Sequence, residues 1–180
     1  QKKLYVMYDQ MYWHLTYAGI KHYNPVSLRY EMRDYTIFID AISKVFAATG
    51  VRVGWGMGPA PVISKMKAIL THIGAWAPMA EQKAVAYYLG NRDGIKKYLA
   101  NFKNEIEERL RRIYNGFTLL KNEGLPVDAI TPEAAIYLTI KIDLAGRKTT
   151  EGKVLETQSD VTANVLNAAG LAVVPFYAFG

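Results

Sequence analysis

The chain carries the run Thr36-Ile37-Phe38-Ile39-Asp40, followed by the segment Lys44-Val45-Phe46-Ala47-Ala48-Thr49-Gly50-Val51-Arg52-Val53-Gly54. The first run is short, apolar and rich in residues that favour strands, so it predicts a buried strand over residues 36–39. A run of the same character, Leu4-Tyr5-Val6-Met7-Tyr8, predicts another buried strand that ends before Asp9. Two buried strands that end beside charged side chains favour an α/β fold with its chemistry at the strand ends.

The rest of the chain alternates predicted helices and strands, which supports the α/β class. Residues 17–35 are predicted to form a loop that can hold a short helix. Helices are predicted over residues 60–73 and 92–122, where apolar side chains recur every three or four residues. Two more are predicted over the alanine-rich residues 77–89 and over residues 159–169, the latter with Ser159 as its N-cap. Further strands are predicted over residues 51–57, 134–142 and 171–174.

Composition narrows the class of protein. The 180 residues are 51% hydrophobic and 21% charged, which is typical of a folded globular protein with one good core, or one and a half small domains. The sequence has no cysteine, and its three histidines have no close spacing, so a metal site is not expected. The apolar runs are too short to span a membrane and no signal-peptide pattern opens the chain, so we expect a cytoplasmic protein with no membrane partner.

The formal net charge of +6 and the pI near 9.4 raise the question of a nucleic-acid partner. The positive charges are scattered and mostly stand beside acids, as in residues 105–112. Such alternation is typical of a solvated helix face rather than of a stripe that follows phosphates. We therefore expect no nucleic-acid partner.

Asp9 and Lys44 each follow a predicted strand. Ligands in open α/β sheets bind beyond the carboxyl ends of the strands. If the two strands are parallel neighbours, both side chains face one crevice. A carboxylate and an amine at one crevice can serve a ligand or can form a plain salt bridge, and spacing alone leaves both alternatives open.

Residues 43–55 are similar to the pyridoxal-phosphate attachment site of class I/II aminotransferases, the fold-type-I family. That pattern has a lysine, two variable positions, small residues, a glycine, and an arginine eight residues after the lysine, followed by an aliphatic residue and a glycine. The run Asp9-Gln10-Met11-Tyr12 matches the family's Asp-x-x-Tyr. Residues 170–175 resemble the segment before the family's substrate-binding arginine, so the likeness covers nearly the whole chain. Ala41 departs from it, because the family often has serine or glycine there to serve the cofactor phosphate.

The resemblance implies a role for each matched residue. Lys44 would form a Schiff base with pyridoxal 5′-phosphate and then move the substrate α-proton. Asp9 would pair with the pyridine nitrogen, and Tyr12 would donate to the phenolic oxygen of the ring. Arg52 would hold the phosphate. The plainer alternatives are a core position for Tyr12, a surface ion pair for Arg52 and a solvated Lys44.

The resemblance also implies a domain plan. Residues 1–90 would be the C-terminal part of the large cofactor-binding domain, with a mixed, mainly parallel sheet. Residues 91–114 would be a long interdomain helix, and residues 115–180 an incomplete small α/β domain. We expect the chain to be a fragment of a longer protein, with the segment that covers the ring upstream and the arginine that binds the substrate carboxylate beyond Gly180. The isolated chain should then show no transamination.

The implied activity is transfer of an amino group between an amino acid, of aspartate or aromatic type, and a 2-oxo acid, in a homodimer. Two alternatives use the same residues or fold: a pyridoxal-phosphate-dependent lyase or decarboxylase, and an aminotransferase-like domain of a transcription regulator. The glycine-rich run Gly54-Trp55-Gly56-Met57-Gly58 resembles a nucleotide-binding loop only superficially, because it lies within a predicted strand. Tyr137, in another predicted strand, could approach the substrate from the small domain, but a tyrosine in a strand is usually a core residue, and we interpret it as one.

Overall fold

The computed structural model describes residues 4–179 and places a three-stranded sheet in the first part of the chain. Its strands are β1 (Val6–Asp9), β2 (Thr36–Ala41) and β3 (Gly54–Met57), in the order β1-β2-β3. β1 runs parallel to β2, and β3 runs antiparallel to it. Both predicted strands are present, and the sheet is mixed. β2 is largely buried as predicted, whereas β1 begins at Val6, includes Asp9 and has no buried residue.

The third strand begins three residues later than predicted. Residues Thr49–Val51 form a 3₁₀ turn, and Arg52 takes the left-handed backbone conformation with φ 58° and ψ 38°. An extended strand cannot pass through such a residue, so pairing with β2 starts only at Gly54. Upstream, the predicted loop holds a short helix α1 (Pro25–Leu28), capped by Asn24, and a 3₁₀ helix over Tyr30–Asp34.

A short helix, α2 (Ile42–Val45), follows β2 directly. Ile42 and Val45 are buried, and three residues apart they lie on one side of the helix. Ile42 packs in a core cluster with Val53 and Val85, to which Phe46 and Trp55 add partly buried rings. This packing fixes α2 against the end of the sheet, with Lys44 half-buried between the two anchors.

Three longer helices follow the sheet as the periodicity predicts. They are α3 (Ala60–Ile73), α4 (Met79–Leu89) and α5 (Arg92–Asn122). α4 starts two residues later than predicted because Pro78 occupies its N-cap position. α5 has 31 residues and extends about 45 Å at 1.5 Å per residue.

The chain divides into two compact units. Among the described residues, the first contains residues 4–110 together with Pro132–Tyr137, and the second contains Arg111–Thr131 and residues 138–179. The second unit holds a two-stranded antiparallel sheet, β4 (Val127–Ala129) and β5 (Ile140–Ile142), and the helix α6 (Gln158–Ala169).

The strand predicted over residues 134–142 is wrong for its first part. Only Ile140–Ile142 is a strand, and it pairs with β4, which the sequence analysis did not predict. Ala135 has φ 65°, which breaks the extended run. Ala134 forms an isolated antiparallel bridge with Thr16 instead of joining β5. The prediction failed here because residues 132–137 pack with the first unit.

Two details at the end of the chain also differ from prediction. The residues from Leu171 to Val174 form no strand. Leu171 and Val174 are exposed, and no strand in the described part of the chain pairs with this segment. They lead to a 3₁₀ helix over Phe176–Phe179. The N-cap of α6 is Thr157 rather than Ser159, because Thr157 forms a capping box with Asp160.

Candidate active site

The site is built at the carboxyl ends of β1 and β2. The parallel register pairs Asp9 with Ile39, so both strands end at the same edge of the sheet. β2 continues two residues beyond Ile39 and leads into α2, which carries Lys44. The condition set out above is met, because β1 and β2 are parallel neighbours, and Asp9 and the helix that carries Lys44 follow them at one edge.

Asp9 is the last residue of β1 and is exposed to solvent. Its Oδ1 accepts the backbone N–H of Met11 at 3.1 Å, which closes the turn leading to Tyr12. Among the ion pairs of residues 4–179, none joins Asp9 to Lys44. The plain salt bridge that spacing allowed is therefore not formed, and both charged groups remain available to a ligand.

Arg52 lies in the turn between α2 and β3. Its Nη1 donates to the carbonyl oxygen of Thr49 at 2.9 Å, and the residue is exposed. A guanidinium has five N–H donors, so most of them are left for another acceptor. A left-handed conformation costs a non-glycine residue roughly 1–2 kcal/mol. Strain of this kind, held by the surrounding fold, is common at functional sites.

Gly54 lets β3 approach the end of β2. A Cβ at this position would lie 3.0 Å from the carbonyl oxygen of Asp40 and 3.1 Å from the Cβ of Ala41. The glycine-rich run therefore serves close strand packing beneath the site, and its central residues lie in β3. Ala41, the N-cap of α2, contributes no side-chain hydrogen bond to the cap.

Tyr12 meets Tyr137 edge to face. The two hydroxyl oxygens are 2.6 Å apart, and the ring centroids are 5.5 Å apart at an interplanar angle of 74°. Burial raises the pKa of Tyr12 above its ordinary value, and the hydrogen bond with Tyr137 and the charge of Asp9 add to this. Tyr12 is therefore a neutral phenol, and the negative charge of Asp9 helps to keep it protonated. The interpretation of Tyr137 as a core residue is wrong, because it is 60% exposed and lies in no strand.

The sequence analysis missed the pair formed by Asp40 and Trp13. Asp40 is 6% exposed, and its Oδ2 accepts the indole Nε1–H of Trp13 at 3.0 Å. Its Oδ1 accepts the backbone N–H of Ala41 at 2.8 Å. A carboxylate at the end of an apolar strand is rarely buried without hydrogen-bond partners. The position of Asp40 at the end of its apolar run was therefore the signal in the sequence for such a partner.

The ring of His14 lies against that of Trp13, with ring centroids 3.6 Å apart and an interplanar angle of 34°. Burial lowers the pKa of His14 below its ordinary value, although the nearby Asp40 opposes this shift. His14 is therefore a partly buried loop histidine that favours its neutral form. No group of three or more acidic or histidine side chains in residues 4–179 is arranged to hold a metal ion.

The whole chain, residues 1–180, matches the family model described as Aminotransferase class I and II. The chain belongs to this family. It is 31% identical over 179 residues to a probable aspartate/prephenate aminotransferase of Rhizobium leguminosarum bv. phaseoli, covering 99% of this chain and 43% of that protein. It is also 31% identical over 179 residues to an aspartate aminotransferase of Rhizobium meliloti, covering 98% of this chain and 42% of the relative. The chain thus spans about two fifths of the length of these relatives.

Solved structures in the aminotransferase family share the fold. A crystal structure of the aspartate aminotransferase from Rhizobium meliloti matches with a TM-score of 0.86 and 28% identity, covering 98% of this chain and 42% of that one. An aromatic aminotransferase from Pyrococcus horikoshii OT3 matches with a TM-score of 0.82 and 28% identity, covering 98% and 43%. The predicted fold class, fold-type-I with mixed α/β structure, is confirmed.

The side chains present fit pyridoxal 5′-phosphate, the cofactor that this family implies. A carboxylate suits the pyridine nitrogen of the cofactor, and a neutral phenol suits its phenolic oxygen. An amine suits its aldehyde, and a guanidinium with unused donors suits its phosphate.

Within residues 4–179, no helix combines the length and the apolar character needed to cross a membrane.

Proposed function

We propose that the intact protein is a pyridoxal-phosphate-dependent aminotransferase that moves an amino group between an amino acid and a 2-oxo acid. The observation that carries this proposal is the parallel pairing of β1 with β2, which brings Asp9 and the helix bearing Lys44 to one sheet edge. Membership of the aminotransferase family supports it. Because the chain spans about two fifths of its relatives, the proposal concerns the whole protein.

Each of four side chains has a task in this proposal. Asp9 would hold a proton on the pyridine nitrogen by its negative charge, and Tyr12 would donate to the phenolic oxygen. Arg52 would bind the phosphate through charge-assisted N–H donors. Lys44 would hold the cofactor through its amine, and the same amine would move the proton that leaves the substrate α-carbon, as transfer of the amino group requires. When bound, the cofactor supplies a cationic ring that accepts the electron pair left by that proton.

We propose an aspartate-type or aromatic amino acid as the substrate. Relatives that match this chain bear the names aspartate, aspartate/prephenate and aromatic aminotransferase. These names favour amino-group transfer over the lyase, decarboxylase and regulator alternatives. The finer expectations, a homodimer in the cytoplasm with the domain boundaries given above, are part of the same proposal. Sedimentation of the intact protein tests the dimer directly.

The decisive experiment measures the visible absorption of the intact protein after incubation with pyridoxal 5′-phosphate. We expect a yellow band that depends on pH and is absent in Lys44→Ala. Reduction with borohydride followed by peptide mass spectrometry should place the cofactor mass on Lys44. Lys65→Ala is the matched control, because Lys65 is an exposed lysine on α3.

The reaction is then assayed by mixing aspartate, phenylalanine or tyrosine with 2-oxoglutarate and following glutamate. Glutamate formation by the wild type and not by Lys44→Ala supports the transaminase. A colourless intact protein, or a band that survives in Lys44→Ala, would refute the proposal. Release of carbon dioxide or ammonia without glutamate would instead identify a decarboxylase or lyase.

A further inference from the structure

Tyr137 is an exposed residue whose hydroxyl has a hydrogen-bond partner. Its hydroxyl oxygen lies 2.6 Å from that of Tyr12, within hydrogen-bonding distance. The two residues are 125 positions apart in the chain. The same pair forms an edge-to-face ring contact, a favoured arrangement of aromatic side chains. Both the ring and the hydroxyl of Tyr137 are therefore directed at Tyr12.

The backbone before Tyr137 is fixed from several sides. The Tyr17 N–H donates to the carbonyl oxygen of Glu133 at 2.8 Å, and the Ala135 N–H donates to that of Leu15 at 2.8 Å. The Tyr17 hydroxyl donates to the carbonyl oxygen of Ala135. Leu15 and Tyr17 are almost completely buried, so these bonds are shielded from water.

The left-handed Ala135 completes this arrangement. Its φ of 65° is unfavourable for alanine and is maintained by the hydrogen bonds on both sides of the residue. Tyr137 follows two residues later. Its position therefore results from a supported turn within the first unit rather than from a freely moving surface side chain.

The next question is which of the two hydroxyls, that of Tyr12 or that of Tyr137, donates the hydrogen bond. A phenolic hydroxyl has one proton to donate and two lone pairs that accept. If Tyr12 donates to Tyr137, it has no proton left for a ligand. If Tyr137 donates to Tyr12, the proton of Tyr12 stays free, and accepting a hydrogen bond makes Tyr12 a stronger donor.

We propose that Tyr137 is a positioning residue whose hydroxyl donates to Tyr12 and so directs the Tyr12 proton to the phenolic oxygen of bound pyridoxal 5′-phosphate. This inference rests on the proposed function. It assigns Tyr137 no contact with the reacting atoms. Its effect should therefore pass entirely through Tyr12. The proposal needs Tyr12 to be a neutral phenol, and burial, the largest cause of its raised pKa, favours that form.

The test uses the pH at which the visible band of the loaded intact protein changes colour. Donation by Tyr12 stabilises negative charge on the phenolic oxygen, which favours the deprotonated form of the conjugated system. Weakening that donor therefore moves the midpoint to higher pH. We expect Tyr137→Phe to raise the midpoint by roughly 0.5 to 1 pH unit, the equivalent of one ordinary hydrogen bond.

A double-mutant cycle separates this mechanism from a general structural effect. Tyr12→Phe should raise the midpoint at least as far as Tyr137→Phe, and the double variant should match Tyr12→Phe alone. Tyr87→Phe is the control, because Tyr87 is 88% exposed on α4, and its midpoint should equal that of the wild type. Each change removes one oxygen and keeps the ring.

Two results would overturn the inference while leaving the proposed function intact. One is an unchanged midpoint in Tyr137→Phe. The other is an equal further rise when Tyr137→Phe is added to Tyr12→Phe, since Tyr137 would then act independently. Absence of any band that depends on Lys44 would overturn the proposed function and this inference together. The spectrum of the wild type and of Lys44→Ala therefore distinguishes the two kinds of failure.

Discussion

Trp13 donates its indole N–H to the buried carboxylate of Asp40 at 3.0 Å. Trp13 follows Tyr12 in the turn after β1, whereas Asp40 lies near the end of β2, four residues before Lys44. The bond therefore links the segment that carries the phenol to the strand that leads to the amine. Asp40 also accepts the N–H of Ala41, so both of its oxygens are occupied.

Trp13→Phe should destabilise the protein by about 1.5–3 kcal/mol, because it removes a hydrogen bond to a buried carboxylate and leaves one oxygen unpaired. The free energy of unfolding of the intact protein in urea measures this. Trp76→Phe is the control, since Trp76 is 48% exposed, and its effect should stay within about 0.5 kcal/mol. Equal stabilities of the two variants would show that the link between Trp13 and Asp40 contributes nothing.

Gly54→Ala should destabilise the protein by about 1–3 kcal/mol, because the added Cβ meets the Asp40 carbonyl oxygen at 3.0 Å and the Ala41 Cβ at 3.1 Å. Gly116→Ala is the matched control. Gly116 lies within α5 with no heavy atom near its added Cβ, so alanine should stabilise the helix by about 0.5–1 kcal/mol. Thermal unfolding of both variants checks the opposite signs, and a stabilising Gly54→Ala would contradict the close approach of β3 to β2.

Local patterns sufficed for the elements whose neighbours are near in sequence. The helical periodicity of α3 and α5 and the apolar runs of β1 and β2 located these elements, because the spacing of apolar residues lies within each element itself. The strand predicted over residues 134–142 failed because residues 132–137 form backbone hydrogen bonds with Leu15 and Tyr17. The local sequence pattern cannot indicate a hydrogen-bond partner that lies more than a hundred residues away in the chain.

The candidate site divides in the same way. Asp9, Tyr12, Lys44 and Arg52 stand in short motifs whose spacing is visible in the sequence, although their roles remain predictions. Tyr137 and Asp40 belong to the neighbourhood of the site only through tertiary contacts. The left-handed conformations of Arg52 and Ala135 were also hidden, since neither residue type signals a positive φ.

The buried Tyr17 predicts a loss of stability at alkaline pH. Burial, with the charge of Glu107, raises the pKa of Tyr17 from 10.0 to about 12. The folded state keeps a proton that the unfolded state loses, so its contribution is complete below pH 10 and is lost as the pH rises to about 12. Tyr17→Phe should cost about 1 kcal/mol at neutral pH and lose less stability than the wild type between pH 10 and 12.

Urea unfolding at a series of pH values measures this difference. Tyr87→Phe serves as the control because its exposed phenol should leave the alkaline loss unchanged. If Tyr17→Phe and the wild type lose stability in parallel between pH 10 and 12, the Tyr17 phenol is not the group responsible.

The N-cap of α6 is Thr157, whereas the sequence predicted Ser159, and the two positions can be compared by substitution. The Thr157 Oγ1 accepts the Asp160 N–H at 3.1 Å, and the Asp160 Oδ2 accepts the Thr157 N–H at 3.0 Å. Thr157→Ala should therefore reduce the free energy of unfolding by about 1 kcal/mol, whereas Ser159→Ala should change it by less than about 0.5 kcal/mol. The reverse order in chemical denaturation would restore Ser159 as the cap.

Arg52 should show stability and cofactor binding changing in opposite directions. Arg52→Gly relieves the φ of 58° and should raise the free energy of unfolding of the unloaded intact protein by about 1 kcal/mol. The same change removes the proposed phosphate donors and should weaken binding of pyridoxal 5′-phosphate about 10- to 150-fold, the equivalent of about 1.5–3 kcal/mol. Ala18→Gly relieves a φ of 51° without removing a donor, so it should stabilise the protein and leave the affinity unchanged. Urea unfolding and fluorescence titration with the cofactor measure the two quantities. If Arg52→Gly binds as tightly as Ala18→Gly, the strained conformation of Arg52 has some purpose other than holding the phosphate.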